Sequence, residues 1–437
     1  MKVLIISQYW KPENGVPQRR WAWLSELLVR EGNQVTAIVP PPHYNRNLSI
    51  GEWCNAQKYR SVAESVDADS EVRVIRSGFI PSGASLTRKA LNQAAVAISS
   101  LWVLMKRPGV LHSYYPDLVI GTVPALPTAV VTWLVARRYR VPYIIDLRDA
   151  WPDLLEESAN WNSGVGNRSW RERLTPKVFV RLGGRCIKGI IEAIIRDASS
   201  MIVTSSKFRA ELQSMRSNDH SANGGVFLVR NVFEPETEID HQSYRTKESR
   251  ELNVLYAGTI GRAQNLSNAI KAVKEAQDRG FKINLRLVGA GAAKRGLVEL
   301  SEELGVNTQF KARTSARDLS EDYRWADTAL VHLTDWPALE RAVPSKTYEL
   351  MENNILITGV VSGETAELIR SNSAGIVVPP ESPSLLADAW IRLIDANKDD
   401  TSMLGRRWVR NEREKIAPSE LFSAIASALQ SGNGNAR

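Results

Sequence analysis

The chain has 437 residues, 43% of them apolar and 24% charged, with no bias towards a collagen, a disulfide scaffold or a disordered polymer. That length exceeds what one hydrophobic core organises, so two or three domains are expected. Lys and Arg number 56 against 48 Asp and Glu, a net charge of +8 that favours anionic partners such as nucleotide-sugars, lipid headgroups or nucleic acid. Cys54 and Cys186 form no metal-ligand spacing and suit a reducing, cytoplasmic setting. The opening MKVLIIS is too short an apolar run for a signal peptide. No stretch reaches the roughly 18 apolar residues of a spanning helix.

Val3–Ile6 is a continuous apolar run, as expected for a strand buried on both faces. A loop, Ser7–Val16, leads into an amphipathic helix, Pro17–Glu31, which Gly32 stops before the strand Val35–Val39. Repetition of this unit predicts an α/β, doubly wound parallel sheet. Ligands of such sheets bind at strand carboxyl ends, which makes Gly15 a candidate contact. After the polar loop His43–Asp69 come a strand (Val72–Ile75), a helix (Arg88–Met105), a strand (Leu118–Gly121), a helix (Ala125–Arg138) and a strand (Pro142–Asp146). The part Ala94–Met105 reads as a buried or interfacial helix. The last strand runs into DLRDAWPD, which crowds Asp146, Arg148, Asp149 and Asp153 beside Trp151 at a strand end. Charges gathered there point to function.

Gly164–Arg196 carries eight Lys or Arg against Glu172 and Glu192, mixed with Trp170, Phe179 and several isoleucines. It reads either as a basic amphipathic surface for peripheral membrane contact or as a solvated helix pair. Strands at Met201–Thr204 and Phe227–Val229 close the first half, and the polar Pro235–Arg250 reads as a linker.

The second half restarts the pattern. Strand Asn253–Ala257 feeds the glycine loop Gly258–Arg262 and a helix, Asn265–Asp278. Strand Ile283–Val288 ends in Gly289-Ala-Gly291, and further strands follow at Thr328–Val331, Ile355–Thr358 and Ile376–Val378. Between them lies LERAVPSKTYELMENN, Leu339–Asn354, a loop feeding a helix. Pro344 suits the first helical position. The N–H groups of Ser345, Lys346 and Thr347 then fall in the first turn and, with the Lys346 charge, form an anion pocket. Glu349 shares that helix face and is placed to accept hydrogen bonds from sugar hydroxyls, while Glu340 sits on the loop at the same mouth. The competing reading is a surface helix with a solvated Lys–Glu pair. The expected domains are 1–235, 251–410 and a final helical segment, 411–437.

In order, YWKPENG, DLRDAWPD, RNVFEP, LYAGTIGRAQNL, LVGAG, WADTALVHL, VPSKTYELM and GETAELI span nearly the whole chain. As a set they resemble retaining glycosyltransferases of family four with the GT-B fold, closest to bacterial surface-polysaccharide and O-antigen sugar transferases. The resemblance implies two Rossmann-like domains facing a central cleft, with the donor held by the second. It assigns donor binding to Gly15, Gly258, Thr259, Gly261, Arg262, Gly289, Arg313, Ser345, Lys346, Thr347 and Glu349. It assigns catalysis to Asp149, Arg262, Lys346 and Glu340, and the acceptor side to Arg148, Asp149 and Trp151. Four departures stand out: Gly15-Val16-Pro17 replaces the two adjacent glycines common in the family, Arg148-Asp149 stands where a histidine is common, and two more lie in the second half. Glu340 and Glu349 have eight residues between them where the family has seven, and AQNLSN lacks the second lysine common after Arg262.

The implied reaction is metal-independent transfer, with no cofactor, from a nucleotide-sugar, UDP-linked by expectation, to a cell-surface glycan or its polyprenyl-linked precursor. Arg262, Lys346 and a helix N-terminus supply the positive charge that a metal supplies elsewhere. Asp67-Ala68-Asp69 matches a metal-holding Asp-x-Asp but sits in a polar loop and reads as coincidental. His332 follows a strand, where it is in reach of substrate, but packing is the favoured reading. The rivals are a nucleotide-sugar epimerase or a phosphorylase on the same fold, and a scaffold that lost activity. A nucleic-acid-binding protein is disfavoured because the charge is mixed and the 13 tryptophans are scattered.

Overall fold

The computed structural model describes residues 1–43, 50–58, 64–66, 71–81, 86–106, 109–123, 125–148, 189–217, 224–235, 238–239, 250–313, 316–395 and 403–434. These fall into two compact units, one holding 1–148, 189–233 and 416–434, the other 234–415. Asp149, Trp151 and residues 164–188 of the basic span lie outside the described residues.

The first unit is an eight-stranded sheet in the order β3-β4-β2-β1-β5-β6-β7-β8. Its strands are β1 (Lys2–Ile6), β2 (Gln34–Val39), β3 (Glu64–Val66), β4 (Arg73–Arg76), β5 (Leu118–Val123), β6 (Tyr143–Leu147), β7 (Ser200–Val203) and β8 (Val226–Leu228). Every pairing is parallel except that of β3, an antiparallel edge strand on β4. Continuous apolar runs make this possible: β5, β6 and β7 are buried at every position, which only helices on both faces allow. The helix Val16–Arg30 buries Trp21, Leu24 and Leu28, three and four residues apart, as one stripe. The helix Ala417–Gly434 packs on β6, β7 and β8. Its Glu420 accepts the Leu228 N–H at 2.9 Å and its Ser427 hydroxyl accepts that of Gly225 at 3.3 Å. The end of the chain thus completes the first unit, entered through the turn Glu412–Ile416.

The second unit is a six-stranded, wholly parallel sheet in the order β11-β10-β9-β12-β13-β14. The strands are β9 (Glu251–Ala257), β10 (Lys282–Val288), β11 (Thr308–Lys311), β12 (Thr328–His332), β13 (Ile357–Val360) and β14 (Gly375–Val378). Counted from its own first strand this is 3-2-1-4-5-6, the Rossmann order. The first unit follows the same order from β4 to β7. Each unit therefore has a switch point, at β1/β5 and at β9/β12, where strand carboxyl ends open a crevice. The helix expected from Asn265 begins at Ser267. Asn265 takes a left-handed conformation (φ 38°), which ends the short turn Arg262–Gln264 first. Among the described residues no helix is long and apolar enough to cross a membrane.

Candidate active site

In the second unit, the chain leaving β9 folds over the chain leaving β10. Gly258 and Ile260 donate their N–H groups to Val288 and Ala290 carbonyls, both at 3.0 Å. Gly289 lies beneath at φ +154°, and a Cβ there would come within 1.9 Å of the Gly258 oxygen, so only glycine lets the loops cross. Gly261 donates its N–H to the Gln264 amide oxygen at 3.2 Å, starting the turn whose first residue is the exposed Arg262.

A second set of bonds ties this turn to β12. Thr334 donates its N–H to the Ala263 carbonyl at 2.9 Å. The Glu381 carboxylate accepts from Asn265 Nδ2 at 2.6 Å and from Thr334 Oγ1 at 2.7 Å. Burial alone would raise the Glu381 carboxyl; these hydrogen bonds carry it below its ordinary value. The strand ends and the Arg262 turn are thereby one piece.

His332, the last residue of β12, is buried under this turn, with Nε2 3.1 Å from Asn268 Nδ2. Burial pushes its pKa down to about 4. The unfolded chain takes up this proton near pH 6.5 and the folded one only near 4, so stability is lost as pH falls through that window. The shift corresponds to roughly 3 kcal/mol at the acid end. Melting between pH 7 and 4.5 should fall more steeply for the wild type than for His332→Gln, and equal slopes would remove histidine as the cause. The packing role expected for His332 fits this environment.

The helix Ser345–Glu352 packs beside β12 and β13. Pro344 is its N-cap, not its first helical residue, and the Pro344 carbonyl accepts the Thr347 N–H at 2.9 Å. Thr347 is fully buried, so the open first-turn donors are those of Ser345 and Lys346, a correction to the three-donor expectation. Lys346 reaches Glu349 Oε1 at 2.8 Å and the Tyr323 hydroxyl at 3.0 Å. The same hydroxyl donates to Glu349 Oε1 at 2.8 Å. Glu349 keeps 7% of its surface exposed and Lys346 30%, so the pair is set into the wall of the crevice rather than solvated on a helix. Tyr323 escaped the sequence reading. It lies on the helix Ala316–Trp325, 26 residues before Glu349, and no local pattern links the two.

Glu340 is exposed on the turn Pro337–Arg341. Gly363, at φ +61°, presses against that turn so closely that a Cβ would come within 2.0 Å of the Glu340 carbonyl oxygen. Thr365 Oγ1 fastens the next step by donating to the Ala342 carbonyl at 2.7 Å. Gly363→Ala should therefore cost more than about 1 kcal/mol, read as a lowered melting temperature; an unchanged value would show that the turn can shift freely.

Gly258, Thr259, Gly261 and Arg262 thus stand at the end of β9, while Ser345, Lys346 and Glu349 open the helix beside β12, with Glu340 on the turn before it. Arg313 is exposed beyond β11, two strands from β9, on the side where Gly289 donates to the Lys311 carbonyl at 3.3 Å. In the first unit, Gly15 is the N-cap of Val16–Arg30. Arg148 closes β6, with Nε 3.9 Å from Asp146 Oδ2. Asp146 itself accepts from Arg20 and from Trp21 Nε1 with no exposed surface.

The Glycosyl transferase 4-like domain family matches residues 15–220, and the Glycosyl transferases group 1 family matches residues 237–414. A search of curated proteins returns no match. Among solved structures, sucrose-phosphate synthase from Thermosynechococcus elongatus is similar with TM-score 0.59 at 17% identity, over 99% of this chain and 98% of that one. WaaG, a glycosyltransferase involved in lipopolysaccharide biosynthesis, aligns with TM-score 0.55 at 15% identity, over 98% of each chain. Anabaena HepE in complex with UDP aligns with TM-score 0.55 at 12% identity, over 99% of this chain and all of that one. At such identities the structural likeness carries the fold alone, and the two matched families carry the activity. The chain is a glycosyltransferase of the GT-B fold, built from a glycosyl transferase 4-like domain and a glycosyl transferases group 1 domain.

Proposed function

We propose that this glycosyltransferase works with retention and without a metal, moving a sugar from a UDP-linked donor to a cell-surface glycan or its polyprenyl-linked precursor. The observation that carries the reading is the second unit's switch point. Arg262 and Lys346 stand there with the N-terminus of Ser345–Glu352, a cationic cradle for a departing nucleoside diphosphate. Glu349, held by Tyr323 and Lys346, is the acceptor for ribose hydroxyls. HepE carries UDP in its structure, which supports the choice of base. Asp149 keeps the polar role near the anomeric carbon on the strength of the resemblance, and Glu340 a contact to the donor sugar.

A thermal-shift panel tests the donor: UDP and UDP-sugars should raise the melting temperature, and guanosine diphosphate should not. Indifference to every nucleotide would sink the reading. Donor consumption without an acceptor would favour the epimerase instead.

The membrane side of the proposal draws on the helix Leu86–Lys106. Leu91, Ile98, Trp102 and Met105, spaced seven, four and three residues apart, are all exposed on it, Ile98 at 70% and Met105 at 73%. Arg88, Lys89 and Lys106 flank this stripe, the pattern of a helix lying on an anionic bilayer. Vesicles containing anionic lipid should retain the protein at low salt and release it at high salt.

A further inference from the structure

Two residues of the second unit hold left-handed backbone conformations that glycine adopts at lower energy, Asn265 at φ 38° and Glu381 at φ 56°. Asparagine tolerates this region; a glutamate there is uncommon. Their side chains meet, Asn265 Nδ2 donating to Glu381 Oε2 at 2.6 Å. Glu381 is exposed and Asn265 half-buried, so one hydrogen bond between them adds little stability. Backbone strain kept without a matching gain in stability marks a place that serves function.

What the bond holds is the turn that carries Arg262. Asn265 ends that turn, Arg262–Gln264, and its Oδ1 accepts the Ser267 hydroxyl at 2.6 Å, which turns Nδ2 towards Glu381. The other carboxylate oxygen of Glu381 accepts Thr334 Oγ1 at 2.7 Å, and the Thr334 N–H donates to the Ala263 carbonyl at 2.9 Å. Glu381 follows β14 by three residues and Thr334 follows β12 by two. One carboxylate therefore ties the ends of two strands to the turn at Ala263 and at Asn265. Arg262 directly precedes Ala263, and its long side chain starts from wherever that backbone is held.

We propose that Glu381 is a positioning residue for the donor's diphosphate: through Asn265 and Thr334 it holds the turn that presents Arg262, and it touches neither nucleotide nor sugar itself. The proposal rests on the reading of Arg262 as a cation for the departing diphosphate.

Calorimetric titration of the full chain with UDP tests this. Glycine at either position removes the side chain while relieving its backbone, so Glu381→Gly and Asn265→Gly should melt, without nucleotide, close to the wild type. Each should weaken UDP about fivefold or more, and the pair together should lose no more than Glu381→Gly alone, because one connection is being removed. Glu381→Gln keeps both contacts, its amide oxygen accepting from Asn265 and its NH₂ donating to the Thr334 hydroxyl, and should stay within about twofold of wild type. In an Arg262→Ala background, where Lys346 and its helix N-terminus still hold UDP, Glu381→Gly should add less than about twofold. Wild-type affinity in the glycine variants, or an undiminished loss on top of Arg262→Ala, overturns the proposal. So does a loss in Glu381→Gln as large as in Glu381→Gly, which would mean that the charge acts directly. A loss seen with UDP-glucose and not with UDP would make the side chain a sugar contact and overturn it too. Failure of UDP to bind the wild type, or Arg262→Ala binding UDP like the wild type, removes the donor reading and this proposal with it. Weakened binding in Arg262→Ala but not in the glycine variants removes this proposal alone.

Discussion

Arg20→Met should destabilise the first unit by about 3–5 kcal/mol, the cost of leaving a buried charge without its partner. Arg20 and Asp146 are both fully buried and meet at 2.9 Å. The same guanidinium donates to the Val229 carbonyl at 2.7 Å and to Asn231 Oδ1 at 3.1 Å, so one side chain joins the first helix, β6 and the segment after β8. Once it is gone, Asp146 keeps the Trp21 indole at 2.8 Å and Arg148 at 3.9 Å, a longer and weaker pairing than the 2.9 Å one that is lost. The double variant Arg20→Met/Asp146→Leu should recover much of the loss, because two well-packed apolar residues carry no desolvation penalty. Denaturant midpoints of the three proteins measure this. A single-variant loss below 1 kcal/mol would mean that water reaches the pair. The network is better understood as positioning than as net stabilisation: it holds Arg148 and the RNVFEP segment at the carboxyl edge of the sheet.

Lys346→Ala and Glu349→Ala should each lower turnover at least tenfold, roughly 1.4 kcal/mol or more of transition-state stabilisation. Lys346 supplies the full charge nearest the open N–H groups of its helix, where charge builds as the diphosphate leaves. Glu349 does two things at once. Its carboxylate holds the ammonium at 2.8 Å, and it is the only acidic group of that helix set into the crevice mouth; Glu352 is turned to Arg413 instead. Removing Glu349 frees the Lys346 side chain as well as the ribose contact, so loss should appear in both kcat and the donor KM. Tyr323→Phe takes away one hydroxyl shared by both residues and should cost less, about 0.5–1.5 kcal/mol. Steady-state rates with a UDP-sugar give all three values. Near-normal turnover in the Lys346 and Glu349 variants together would remove the site from this helix.

Much of this was readable along the chain. Apolar runs such as Val3–Ile6 and Tyr143–Ile145 announce buried parallel strands because burial on both faces leaves no polar alternation. Val-Pro-Ser-Lys announces a helix start because proline, with no N–H to lose, suits that point of the chain. Lys346 and Glu349 fall on one face because three residues nearly complete a helical turn. All of these follow from periodicities and propensities that act within a few residues.

What tertiary structure alone decided are the partners. Asp146 meets Arg20 across 126 residues, Glu381 meets Asn265 across 116, and Glu349 meets Tyr323 across 26. Gly363 matters because the Glu340 backbone passes against it, and the Thr347 N–H is taken by the carbonyl of Pro344, which sits at the N-cap just before the first helical residue. Such pairings depend on which strands lie side by side and where the winding reverses. Sheet order is set by the summed burial of whole elements, and no single stretch of sequence carries that sum.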